Sequence, residues 1–434
     1  MPQLKPFQVI IMGAFVFVAI LGLILFANFQ GFSSGAPQVG TVSIWGTVPA
    51  EEMNAALGSY KQGRPEYGRV TYTQVAEESF DADLAEAIAS GRGPDLVIIT
   101  QEDLAAAQSK LATIPSSVIS ERDFRDTYLP IHELYLIESG TYAIPFLVDP
   151  LVLYYNRPIL ASAGAARPPA SWEAVSGLSG TINRQTDAQT VVRSLIALGT
   201  YENVTNARGI LSLLFLQAGY GISERSNVGL RSDLAQPRSD TFGASPAESA
   251  LNFYTEFANP LKTVYSWNRS LPESRQAFLS GDVALYLGFA SERDSLSEAN
   301  PNLDFDMAPA PSPSTLATRI TYGKAYAFAI PRASANSAGA LQVALSLSAK
   351  EAAPIFARAL SMAPAARAAL TPSADDLYEP VYYPEALVAR GWLSPAPLET
   401  DRIFATMITN VTSGRETGSA AISIVNQSLN AAFK

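Results

Sequence analysis

The stretch GRGPDLVII, residues 91–99, decides how the first part of the chain folds. Two glycines and a proline run straight into apolar residues. Just upstream, SFDADLAEAIAS (79–90) places Phe80, Leu84 and Ile88 at i, i+4 and i+8, the spacing of one helix face. Ser79 or Asp81 can cap its start. Gly91 and Gly93 end it, because glycine accepts the left-handed cap conformation at little cost. Pro94 cannot continue a helix interior. DLVII then reads as a strand covered on both faces, as in a parallel sheet. Working outward, TVSIWGT (41–47) is a strand, AEEMNAALGSYKQ (50–62) a helix and GRVTYTQVA (68–76) a second strand. The order β-α-β-α-β signs an α/β sheet. Ligands of open α/β sheets lie beyond the carboxyl ends of the strands. Trp45, Gly46 and Thr47 at one tip and Thr100, Gln101 and Glu102 at another should therefore face one crevice.

Composition bounds the chemistry. A chain of 434 residues with 48% apolar residues can build two or three domains. The net charge of −10 argues against nucleic acid, whose partners carry a basic footprint. Cysteine is absent, so disulfides, thiolate metal sites and thiol nucleophiles are excluded. The single histidine, His132, rules out a multi-histidine metal centre and reads as structural. No cofactor or metal is expected.

The N-terminus has its own signal. Residues 7–29, FQVIIMGAFVFVAILGLILFANF, carry no charge and are long enough to span a bilayer as a helix. A secretory apolar core is usually shorter, about 7–15 residues, so the length favours an uncleaved anchor. Lys5 precedes the segment and the next basic residue is Lys61. The positive-inside rule then puts residues 1–6 in the cytoplasm and the bulk of the chain outside the cell membrane. QGFSSGAPQ (30–38) reads as a tether.

Further along, GTYAIPFLVDPLVLYYNRPIL (140–160) reads as a strand broken by Pro145 and Pro150, suited to a crossing between lobes. Residues 187–220 read as helical, and 222–245 as a polar surface excursion. Ser171 caps a short helix, and Ser245 with Glu248 forms a capping box. VALYL, ending at Gly288 and Phe289, is a strand, and NPNLDFDMAPAPSPS (300–314) an extended crossing. The last helix lines up Ile422, Val425, Leu429 and Phe433. Enzyme motifs fail. Gly-x-Ser-x-Gly does not occur. A phosphate-binding loop fails at Gly323 and Lys324, since Ala325 follows and Thr318 stands at the first glycine.

Together the motifs resemble family 1 extracellular solute-binding proteins of ABC importers, the group that includes the maltose-binding protein. The matching pieces are the Trp45 strand, FDADLAEAIASGRGPDLVI (80–98), IPFLVDPLVLYYN (144–156), PASWEAV (169–175), AFLSGDVALYLG (277–288) and TSGRETGSAAISIVNQSLNAAF (412–433), in family order. The resemblance implies two α/β lobes closing about a hinge on a small ligand. It implies a first lobe of 40–147 plus 310–350 and a second of 151–307 plus 351–434. Val148, Asp149 and Pro150, with Ala308 and Pro309, are hinge candidates. It implies a monomer, a small polar solute, a sugar or oligosaccharide above others, and delivery to ABC permease subunits.

The implied ligand set is Trp45 and Gly46 at the first tip, Gln101 at the second, and Asp149 and Tyr155 on the crossing. Asp149 matches the acidic hinge position of the sugar binders. Trp267 and Asn268 offer an aromatic and an amide. Gly288 and Phe289 stand where sugar binders carry a stacking tryptophan, and Tyr322, Gly323 and Lys324 approach from the hinge side. Ile99 or Thr100 replaces another tryptophan of the maltose-type site. Two readings stay open beside transport: a sensory or scavenging binding protein without a transporter, and an exported glycan-acting enzyme with a carboxylate pair across the cleft.

Overall fold

The computed structural model describes residues 39–187, 190–226, 229–236 and 244–433. The 7–29 segment lies outside them; among the described residues no helix is long and apolar enough to cross a membrane. The chain opens as β1 (Val42–Gly46), α1 (Ala50–Lys61), β2 (Val70–Gln74), α2 (Phe80–Ala89) and β3 (Leu96–Ile99). β1 pairs in parallel with both β2 and β3. All four residues of β3 are buried, as a doubly covered strand requires.

The junction at 91–95 shows why these residues stand there. Gly91 adopts φ +68°. Its amide bonds to the Ile88 carbonyl and the Arg92 amide to the Ala87 carbonyl, the paired bonds that close a helix end. A side chain at Gly93 would press on Ile88 at 3.1 Å. Asp95 then locks the start of β3. Its carboxylate accepts from the Ser43 amide and hydroxyl at 3.0 and 3.1 Å, and from the Asn336 amide at 3.1 Å. This stretch is scaffold, and it aims the tip at Thr100–Glu102. Ser79 makes no capping bond; its hydroxyl donates instead to Asp83.

Two long strands join the lobes. β4 runs unbroken from Ala143 to Asn156, where a proline-broken strand was expected. The prolines are tolerated because they sit at irregularities. Pro145 lies beside a register shift against the partner strand, and Pro150 is where β4 changes partners. β5 follows at Val191–Ile196, where helix was expected. Tertiary pairing explains the difference: β5 lies parallel to β6 (Val283–Phe289) and extends the second lobe's sheet. Helix α3 begins only at Ala207 and ends at Gln217.

β7 (Phe305–Pro309) pairs with the second half of β4, and β8 (Thr321–Ala329) with its first half. β8 also pairs antiparallel with β3, so the sheet order is β2-β1-β3-β8-β4-β6-β5. This is a two-lobe periplasmic-binding-protein fold, with β4 and β8 as the crossing. One apolar core lies under β1, β2 and β3 and includes Phe146, Phe328 and Phe356; the larger one fills the second lobe, takes in the crossing strands and continues into the first lobe on the other face of β3, through Val97, Ile99, Phe80 and Leu84. Helix α4 (Pro246–Glu256) is capped by Ser245, whose hydroxyl accepts from the Glu248 amide. Helices α5 (Ser337–Leu347) and α6 (Ala353–Ala359) return to the first core, where α6 packs on α1. The first lobe's return therefore runs past residue 350, the boundary expected above. α7 (Pro397–Thr412) and α8 (Gly418–Ala432) close the second lobe, with Ile422, Val425 and Leu429 buried. His132 is fully buried, and desolvation pushes its pKa down to about 4, which keeps the ring neutral.

Candidate functional site

A cavity of ≈ 390 Å³ lies between the lobes where the strand tips converge. The first lobe supplies Glu77 and Glu78 from the loop after β2, and Glu102 from the tip after β3. The crossing supplies Tyr322 and Lys324. The second lobe supplies Phe289 at the end of β6, Arg208 at the head of α3, and Tyr201 and Asp401.

Local structure aims each group. Arg208 is the second residue of α3, whose cap, Asn206, adopts φ +62°, a conformation asparagine tolerates. The Asn206 amide donates to Glu292 at 2.6 Å, which fixes the helix head against the end of β6. Next to Arg208, Gly209 lets Phe289 and Tyr322 approach: a side chain there would meet both rings at 3.3 Å. Lys324 Nζ lies 5.0 Å from the centre of the Phe289 ring, a cation–π contact, and 3.9 Å from Glu77.

Electrostatics centre on Arg208. Its guanidinium donates through Nε and Nη2 to both oxygens of Glu102, at 3.2 and 2.9 Å. Nη1 donates to Asp401 at 2.5 Å and to the Pro397 carbonyl at 3.3 Å. Nη2 also reaches Glu77 at 3.4 Å. Tyr322 donates its hydroxyl to Glu102. Burial alone would raise the Glu102 carboxyl; the charges of Arg208 and Lys324 and the Tyr322 hydroxyl outweigh it and hold it below the usual range. Tyr201 donates to Asp401 at 2.5 Å.

Of the residues expected from sequence, the structure brings Phe289, Tyr322 and Lys324 together on this cavity. Gln101 stands behind it: fully buried, it accepts from the Ala325 amide at 2.7 Å and donates to the Gly323 carbonyl at 3.0 Å. It braces the tip against the crossing. Asp149 is also buried and accepts from the Ser291 amide and hydroxyl at 3.1 and 2.6 Å, in register with Lys324. Burial pushes its carboxyl up to about 7, against the Ser291 bonds and the Lys324 charge. Gly46 packs on Ile98 and Tyr72, and Gly288 on Tyr286 and Tyr154.

The other expected residues lie away from the cavity. Trp45 lines a separate surface groove with Gln74, Ser79 and Arg92. Tyr155 points to Asp306, to which it donates at 3.2 Å. Trp267 is 1% exposed and belongs to the second core. Asn268 donates to the Tyr265 hydroxyl and braces a turn. Glu77, Tyr201, Arg208 and Asp401 were not singled out from sequence. Arg208 did leave a signal: it is the lone charge at the head of the apolar run ILSLLFLQ (210–217).

Two α/β lobes on crossing strands, with a charged and aromatic cleft at the strand tips, have the architecture of a solute-binding protein. Residues 54–353 match the family model described as bacterial extracellular solute-binding protein, and the chain belongs to that family. The fold has many solved counterparts. The GacH receptor of Streptomyces glaucescens, solved unliganded and with acarbose, is 17% identical with a TM-score of 0.69, covering 91% of this chain and 98% of that one. The cyclic alpha-maltosyl-1,6-maltose binding protein of Arthrobacter globiformis is 16% identical with a TM-score of 0.71, covering 91% and 99%. The maltose/maltodextrin-binding domain of Bdellovibrio bacteriovorus, bound to maltotriose, is 14% identical with a TM-score of 0.67, covering 90% and 98%. At these identities the likeness establishes the fold. A search of curated protein sequences returns no match.

Proposed function

We propose that this protein captures a sugar or short oligosaccharide in the interlobe cleft and delivers it to an ABC permease. The observation that carries this reading is the cleft lining. Phe289 offers an aromatic face with Tyr322 packed behind it, while Glu77, Asp401, Arg208 and Lys324 offer charged hydrogen-bonding groups around the same cavity. Apolar faces joined to a few convergent polar groups suit a solute with hydroxyl edges and C–H faces. The volume of ≈ 390 Å³ sits at the small end of ligand sites, roughly 300–1,000 Å³, which favours a short saccharide. The solved counterparts bound to acarbose and maltotriose support the same choice. Residues 7–29 would hold the chain in the membrane as an uncleaved helix, with the lobes outside the cell on the 30–39 tether. The protein would act as a monomer.

Calorimetric titration of the full chain in detergent, against mono- to tetrasaccharides, tests the reading. Binding heat with one saccharide class is expected, and Phe289→Ala should weaken it by about tenfold or more. No heat with any saccharide, alongside heat with an amino acid or polyamine, would refute the sugar assignment.

A further inference from the structure

We propose that Arg208 is a built-in latch that holds the two lobes closed when no solute is bound. The inference concerns regulation of the cleft described above and draws its biological meaning from the binding reading. The latch itself can be tested with no solute present.

The argument starts from chain connectivity. Glu102 follows β3 in the first lobe, and Glu77 follows β2 in the same lobe. Arg208 heads α3 in the second lobe and Asp401 lies on α7 in that lobe. The Arg208–Asp401 bond therefore stays within one lobe, while the bonds to Glu102 and Glu77 span the cleft. The spanning pair is two-pronged, the strongest geometry available to arginine. It is also largely buried: the Arg208 side chain is 12% exposed and that of Glu102 is 2%. Opening the hinge would leave Glu102 with Tyr322 as its remaining donor, and would expose Arg208 with only Asp401 and the Pro397 carbonyl as partners. Salt screens such a buried pair far less than a surface one.

Second, the latch sits where a solute must go. Arg208, Glu102, Tyr322 and Asp401 all line the same cavity. The chain thus supplies its own cation to the acidic floor of the cleft. A solute has to enter past that contact or replace part of it. Third, α3 is anchored firmly enough to act as a lever. Asn206 ties its head to β6, and every residue from Gly209 to Gln217 is buried.

The test uses double electron–electron resonance on the full chain in detergent, without solute. The native chain has no cysteine, so labels go on Ala55→Cys in α1 and Ser423→Cys in α8, both exposed and in opposite lobes. The parent should give one narrow distance. Arg208→Met should add a longer population, with the open fraction rising about tenfold, the equivalent of one charge-assisted hydrogen bond. Glu102→Gln should do the same, and it keeps a polar, isosteric side chain should Arg208→Met fail to fold. Asp401→Asn takes the charge out of the contact within the second lobe and should leave the distance unchanged. A parent distribution already matching that of Glu102→Gln would overturn the latch, as would an equal shift with Asp401→Asn. A chain that shows the latch but binds no saccharide would overturn only the sugar reading.

Discussion

The floor of the cleft and the crossing strand behind it each bury one carboxylate. Glu102 and Asp149 are both 1% exposed. Both feel Lys324. Yet Glu102 is held low and Asp149 is pushed up. The difference is the partner. Glu102 faces a guanidinium in two-pronged contact and a tyrosine hydroxyl. Asp149 has only the neutral amide and hydroxyl of Ser291, with Glu292 nearby opposing its charge. Burial pushes both carboxyls up, and only a full opposite charge in direct contact, as at Glu102, reverses the sign.

The comparison can be broken by removing one member. Glu102→Ala should lower unfolding stability by about 3 kcal/mol, the low end for a broken buried pair, since Arg208 keeps Asp401. Urea melts would measure it, and a loss below about 1 kcal/mol would mean the pair is effectively wet. The pH profile sharpens the contrast. Asp149 has a folded pKa near 7, raised from 3.8. Its native form binds the extra proton, so its contribution to stability is full below the unfolded value and is lost as pH rises toward 7. Asp149→Asn should escape that decline, gaining on the parent by roughly 4 kcal/mol from about pH 4 to about pH 8. Glu102, whose folded value is lowered, stabilises above the ordinary carboxylate range and loses that contribution as pH falls through its own pKa. Asp149→Asn melts that track the parent at every pH would place the Asp149 charge in solvent. Ser291→Ala should cost about 1.5 kcal/mol, one hydrogen bond to a buried carboxylate, and raise the Asp149 pKa further. At the small end, Arg122→Ala should leave the melt unchanged, because its pair with Asp126 is 89% and 72% exposed.

What the sequence disclosed follows the range of each interaction. The βαβαβ start was legible because caps, glycines and periodicity act within a few residues: Gly91, Pro94 and the Leu96–Ile99 run sit side by side. Ser171 and Ser245 cap as their local patterns predict. Residues 191–196 were not legible as a strand, because the partner that makes them one is β6, near Val283. The cleft was half legible. Phe289, Tyr322 and Lys324 fall at strand ends or on the crossing, where the fold puts ligands. Arg208 and Glu102 are 106 residues apart, and no pattern in either segment announces the other. Trp45 and Trp267 drew notice as large aromatics, the residues a core also wants.

β4 belongs to both lobes, and that shapes how the chain can reach its fold. Its first half pairs with β8, where Pro150 meets Gly323. β8 also completes the first lobe's sheet by pairing with β3. The sheet that starts the sequence therefore stays an open edge until residues past 320 arrive. Unpaired edges invite wrong partners. A chain that emerges N-terminus first would be at its most vulnerable for most of its length, then complete both lobes nearly together. Heat should likewise undo them in one transition, with no stage at which one lobe stands alone.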